Sequence, residues 1–172
     1  MEFTDYTNAW AKSEVYQGKW MIGIGILIAI AFGQIFRSDN ILLKGTLVPA
    51  GLLLAILLGY GSYIIYSRPA HAKEMIRIYQ HDPEEAIKIE MTKHIKDNKA
   101  GNMLMRTYPV LMLISIVALW LVTSSYFKGM TVGFAILFIS AFIIDNGFVS
   151  RSNAFIAFLN SGPLHTTPTS TR

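Results

Sequence analysis

An aspartate at the end of an apolar run is the residue of this sequence best placed to do chemistry. Asp145 follows the uncharged stretch Gly129 to Ile144, and it is the one ionisable residue that falls within a predicted membrane span. A carboxyl group in hydrocarbon is costly to keep ionised, so such residues relay protons, bind cations or are neutralised by a partner. Arg106 opens the preceding span on the same side, and antiparallel neighbours would let its long side chain reach Asp145. The two residues therefore read first as an interfacial ion pair and second as a candidate ion site, with the Asn146 amide beside them.

The remaining polar residues offer less. His71, His81, His94 and His165 lie in polar segments with neither HExxH nor another metal-ligand spacing, which predicts solvated helix-surface roles. Arg68, His71, Lys73 and Arg151 could together hold lipid phosphates, although the same charges also serve to anchor the spans. Gly23-Ile24-Gly25 lacks the third glycine and the preceding strand of a dinucleotide site. Glu84 and Glu85 belong to a solvated helix start, and Gln34, Tyr60, Ser62, Tyr63, Ser115 and Thr123 to Ser125 are scattered. No chain of acids crosses the bilayer, which argues against a proton pump. The absence of cysteine excludes disulfides, thiolate zinc sites and thiol catalysis. The expectation is a chain that is not an enzyme, with no catalytic, cofactor or metal site.

Surfaces are better marked than chemistry. Gly25, Ala29 and Gly33 recur every four residues, as do Gly51, Ala55 and Gly59, and such faces let helix backbones approach closely in lipid. They predict a tight contact between the first two spans, or else contact with a second copy or a membrane-protein partner. Gly129 and Gly133 give the fourth span a shorter version. Ile87, Met91 and Ile95 form a narrow apolar stripe that predicts a cytoplasmic interaction face.

The elements that carry these residues follow from composition. Of 172 residues, 52% are hydrophobic and 15% charged, and the apolar ones gather in four blocks: 20–36, 45–67, 107–127 and 129–144, the last extended to about 148. Roughly 20 such residues are needed to cross the hydrocarbon. The expected fold is an all-α membrane protein with four transmembrane helices arranged as two hairpins, at 20–66 and 107–149. The first block is read as a retained span because it follows nineteen polar and aromatic residues and precedes no Ala-x-Ala-like site. Twelve of the fifteen basic residues flank one side of these spans, and only Arg37, Lys44 and Lys128 flank the other. Basic residues stay on the cytoplasmic side, which predicts cytoplasmic N- and C-termini and a charge balance that reports topology and no nucleic-acid binding.

Amphipathic helices complete the expected architecture. Phe3, Tyr6 and Trp10 have helical spacing in segment 1–19, which predicts an interfacial helix lying on the inner leaflet. Segment 67–106 reads as two cytoplasmic helices broken at His81 to Glu85, where Asp82 caps, Pro83 takes the first position and Glu85 completes a capping box. Asn98 to Asn102, with Gly101, should end the second helix. Both halves of the chain close on Ser-Arg, at Ser67-Arg68 and Ser150-Arg151, as an internal parallel repeat would. The tail, 150–172, should be disordered at its Thr-, Ser- and Pro-rich end. The functional expectation is a multi-pass protein of the cell inner membrane acting by interaction, as a scaffold or immunity-type protein. The alternative is an oligomeric small-ion channel or transporter subunit with Asp145 near its cytoplasmic mouth and the Ser- and Thr-bearing third span facing the pore.

Overall fold

A computed structural model describes residues 2–162, which contain helices and no strand. Helix α1 runs Phe3–Arg37, followed by the short α2, Ile41–Gly45. A continuous rod then comprises α3, Leu47–Leu54, a π-helical stretch, Ala55–Tyr60, and α4, Gly61–His81. Helices α5, Pro83–Leu121, and α6, Ser125–Asn160, complete the chain. The segments Phe3–Arg37, Leu47–His81, Pro83–Leu121 and Ser125–Asn160 are long and apolar enough to cross a membrane, which fits a multi-pass membrane protein.

Each of these rods is about 50 Å long at 1.5 Å per residue, well beyond the ~30 Å of a hydrocarbon core. The surplus falls at one end of the molecule. There the start of α1, the end of α4, the start of α5 and the end of α6 pack around Phe3, Trp10, Ala11, Ala72, Ala86, Phe155 and Leu159. Phe3 stacks on Tyr79 with ring centres 4.3 Å apart, and Tyr6 stacks on Phe158 at 4.1 Å. A second core, Met21, Leu53, Leu57 and Leu137, lies in the apolar half. Around that half Leu27, Ile30, Leu113, Trp120 and Ile143 are exposed, an outward apolar surface that water does not favour.

Two sequence expectations are corrected here. Segment 1–19 continues α1 without a break, and Phe3, Thr7, Trp10, Ala11 and Glu14 are buried inside the protein. Its aromatic stripe meets other helices and does not lie on a leaflet surface. Helix α5 also passes through Asn98 to Asn102 unbroken. The Asn98 side chain is buried and donates to Asn153 Oδ1 at 2.7 Å, while Gly101 admits Val149 where a Cβ would collide. Residues that commonly end helices thus serve contact with α6. Conversely, α5 stops at Leu121, so Thr123 and Ser124 lie in the turn and Ser125 opens α6.

Local signals hold at the other boundary. Asp82 Oδ1 accepts from the Glu85 N–H at 2.9 Å, and Pro83 takes the first helical position. The reciprocal half of the capping box is unnecessary, because the Asp82 N–H donates to the Ile78 carbonyl at 2.8 Å. Asn40 caps α2 by accepting from the N–H groups of Leu42 and Leu43.

Candidate functional site

Between the two cores lies a layer of buried charge, built by one face from each long helix. Helix α1 contributes Trp10, Glu14 and Gln17, at helical spacing. Helix α4 contributes Arg68 and His71, α5 contributes Glu90, Lys93, His94 and Asn98, and α6 contributes Arg151 and Ser152. Because Glu90, His94 and Asn98 repeat every four residues behind Ala86, the buried face of α5 is largely polar.

Two carboxylates organise the layer. The Glu14 side chain is 3% exposed and accepts from Arg151 Nε at 2.7 Å, with Arg68 Nε at 3.4 Å. The Arg151 guanidinium also donates to Gln17 Oε1. Gln17 Nε2 in turn donates to the Ile144 carbonyl at 2.9 Å. Gly147 faces Gln17 closely enough that an added Cβ would sit 2.8 Å from its Oε1. Glu90, fully buried, lies 2.8 Å from His71 Nε2 and 3.4 Å from His94 Nε2. Burial would raise its carboxyl, but the hydrogen bond with His71, the nearby His94 imidazole and the charges of His71 and Lys93 hold it down at about 2. His94 Nδ1 and Ser152 Oγ share a hydrogen bond of 2.7 Å.

Trp10 is the shared apolar wall of this layer. His94 meets its ring edge-on at 5.1 Å, the Arg68 guanidinium carbon lies 5.4 Å from it and Lys93 Nζ 5.0 Å. Burial pushes the Lys93 ammonium below its ordinary value, and the charge of Glu90 opposes that shift. A cavity of about 420 Å³ opens against these groups. Its charged end is lined by Trp10, Glu14, Arg68, Lys93, His94 and Asp97, and its more apolar end by Tyr60, Tyr63, Leu104 and Phe148 with Asp145 beside them.

Asp145 lines the same cavity, so the acid singled out in the sequence and the charged layer share one space. Its partner is Tyr108, whose hydroxyl donates to Asp145 Oδ2 at 2.7 Å, and Arg106 stays exposed. Tyr108 lies two residues further along α5, on a face of the helix that turns toward α6. Ser115 is buried and donates to its own helix, at the Leu111 carbonyl.

The small-residue faces are used in part. Gly25 packs against Leu57 and Leu58, and Gly51 lies near Phe32, whereas Gly33 and Gly59 have open space beside them and Ala55 is exposed. The π-helical stretch Ala55–Tyr60 interrupts the four-residue period, and Gly61 instead meets Gly18. The tightest contacts are those of Gly45 and Gly129, whose added Cβ atoms would overlap the carbonyls of Tyr126 and Leu42. Ala29 is half-buried. Of the α5 stripe, Ile87 and Met91 pack against the polar-end core, and Ile95 is 54% exposed.

Sequence reasoning missed Glu14, Gln17, Glu90 and the role of His94, because a polar buried face carries no hydrophobic periodicity. The four-residue spacing of Ala86, Glu90, His94 and Asn98 was the available signal. Among the described residues no group of three His, Asp or Glu side chains is placed to hold a metal ion. No protein-family model, curated protein or solved structure matches the chain. The fold therefore defines its class: an all-helical chain with four helices able to cross a membrane.

Proposed function

We propose that this chain is a multi-pass protein of the cell inner membrane that binds an amphipathic molecule and does not transform it. In this reading the helices form two transmembrane hairpins, and the charged layer and both termini are cytoplasmic. The positive-inside split of the basic residues supports that orientation. The observation that carries the function is the cavity, with buried charge at one end and Tyr60, Tyr63, Leu104 and Phe148, beside the Tyr108-bonded Asp145, at the other. Arg68 directly follows the apolar run of 45–67, so the cavity straddles headgroup depth. Such a two-ended site suits a molecule with a polar head and an apolar body.

Binding is favoured over catalysis by the surroundings of Ser152. Ser152, His94 and Glu90 are of the residue types used for nucleophilic relays. Ser152 lies in the interior of α6, however, where neighbouring backbone N–H groups are committed to helix bonds. Among the described residues around Ser152, no pair of free N–H groups stands ready for an oxyanion. Binding narrows the interaction, scaffold or immunity-type role expected from the sequence, and leaves a homo-oligomer or membrane-protein partner compatible with it.

Native mass spectrometry of the full chain, extracted in mild detergent or nanodiscs, tests the proposal. A retained amphiphile that is lost when Tyr63→Trp narrows the apolar end supports it. A chain that retains none, and takes up none from added lipid, overturns it. One observation favours an oligomeric ion channel or transporter subunit as a second reading, namely that Asp145 lines the cavity. That reading requires Asp145→Asn to alter ion flux in reconstituted vesicles.

A further inference from the structure

Buried donors without acceptors are rare in folded proteins and costly where they occur. Trp10 Nε1, Arg68 Nε and Lys93 Nζ are all buried without a hydrogen-bond partner, and all three residues line the cavity, which the acids Glu14, Asp97 and Asp145 line as well. The two cations lie about one indole, at 5.4 and 5.0 Å from its centre. The neighbouring acids do not satisfy them. Glu14 is held by Arg151, and its 3.4 Å approach to Arg68 Nε lacks hydrogen-bond geometry. Asp97 stands 3.7 Å from Lys93 Nζ and is half exposed, and Asp145 accepts from Tyr108. His94 Nε2 is also unpartnered, but Glu90 Oε2, itself unpartnered, lies 3.4 Å away.

From this geometry we infer that the cavity holds a phosphate-type oxyanion, from a lipid headgroup or as inorganic phosphate, gripped by Arg68, Lys93 and Trp10. The inference deepens the binding reading and rests on it for the apolar half of the ligand. The donors come from α1, α4 and α5, three directions that suit a tetrahedral set of oxygens better than a planar carboxylate. An anion here would compete with Asp97 for Lys93, and would offset the burial that now depresses its ammonium. Lipid chains would leave past Leu104 and Tyr63, both exposed on the outside of the molecule.

The test uses the full chain in detergent micelles, with phosphatidic acid, diacylglycerol of the same chains and inorganic phosphate as separate probes. Phosphatidic acid is expected to bind at least about 10-fold more tightly than diacylglycerol, the scale of one charge-assisted contact, and Lys93→Gln to erase that preference. Replacing Trp10 with its benzothienyl analogue keeps the bicyclic ring and exchanges only the N–H for sulfur, so it should weaken phosphatidic acid alone, and it serves if Lys93→Gln does not fold. Inorganic phosphate bound in a Lys93-dependent way, with no preference for the lipid, would keep the oxyanion site and overturn the amphipathic reading. Equal binding of diacylglycerol and phosphatidic acid, unchanged in both variants, would overturn the oxyanion site and keep the amphipathic reading. Binding of none of the probes would overturn both.

Discussion

Glu14 of α1 and Arg151 of α6 meet at 2.7 Å although 137 positions separate them in the chain. Arg68 approaches the same carboxylate from α4, so the arginines of the two Ser-Arg sequences converge on a single acid. One carboxylate thus ties the first, second and fourth rods together in the layer between the cores.

Removing that acid should be expensive. Glu14→Gln leaves two partly buried guanidinium groups without their counter-charge, and the expected loss is about 3 kcal/mol, the usual cost of breaking a buried ion pair from one side. Thermal unfolding of the detergent-solubilised chain measures it. A loss below about 1 kcal/mol, the value of an exposed pair, would show that water replaces Glu14 readily.

Glu90 gives the stability a defined acid limit. Its carboxyl titrates at about 2 in the fold against an ordinary value of 4.5, so between those values the unfolded chain binds the extra proton. The contribution is complete above pH 4.5 and is lost as the pH falls toward 2. Melting temperatures taken from pH 6 downward should fall more steeply in the native chain than in Glu90→Gln, and parallel curves would refute the assignment.

Glycine substitutions should separate close contacts from open faces. In Gly129→Ala the new methyl overlaps the Leu42 carbonyl, a backbone atom that cannot swing aside, and about 1–3 kcal/mol of stability should be lost. Gly33→Ala and Gly59→Ala meet nothing within 4 Å and should be neutral or stabilising by up to about 1 kcal/mol through helix propensity. Disruption by Gly33→Ala would instead reveal a second chain seated on that face, and cross-linking would show it.

Asp145 depends on Tyr108 and not on Arg106. Tyr108→Phe removes the hydroxyl that donates to its carboxylate and should cost about 1–3 kcal/mol, whereas Arg106→Gln should stay within about 0.5 kcal/mol. The two variants compared by thermal unfolding decide between the partners.

The α5 stripe should respond unevenly to charge. Ile87→Asp strikes the polar-end core and should destabilise by about 2 kcal/mol or more, while Ile95→Lys should fold normally. Loss of function in a folded Ile95→Lys variant would mark that position as a contact for another protein.

What could be read in the sequence was what hydrophobicity writes there. The four apolar blocks and the Asp82-Pro83 boundary follow from local residue preferences and have their counterparts in the structure, whereas Asp145 stood out by its type alone and its Tyr108 partner did not. The rods' extension past the apolar blocks was not legible, because Phe3, Trp10 and Phe155 look the same whether they face a leaflet or a bundle core. Gly101 and Asn98 carry helix-ending propensities that tertiary contact with Val149 and Asn153 overrides. The register shift at Ala55–Tyr60 has no compositional mark, and it breaks the face that Gly51, Ala55 and Gly59 were expected to share.

The order in which the charged layer can be completed is fixed by where its members sit along the chain. Glu14 and Gln17 leave the ribosome before Glu90 and His94, and these before Arg151 and Ser152. Apolar rods can enter lipid one after another as they are made. The layer that locks them cannot close until the rod carrying Arg151 has been made, so the earlier rods remain unlatched until then.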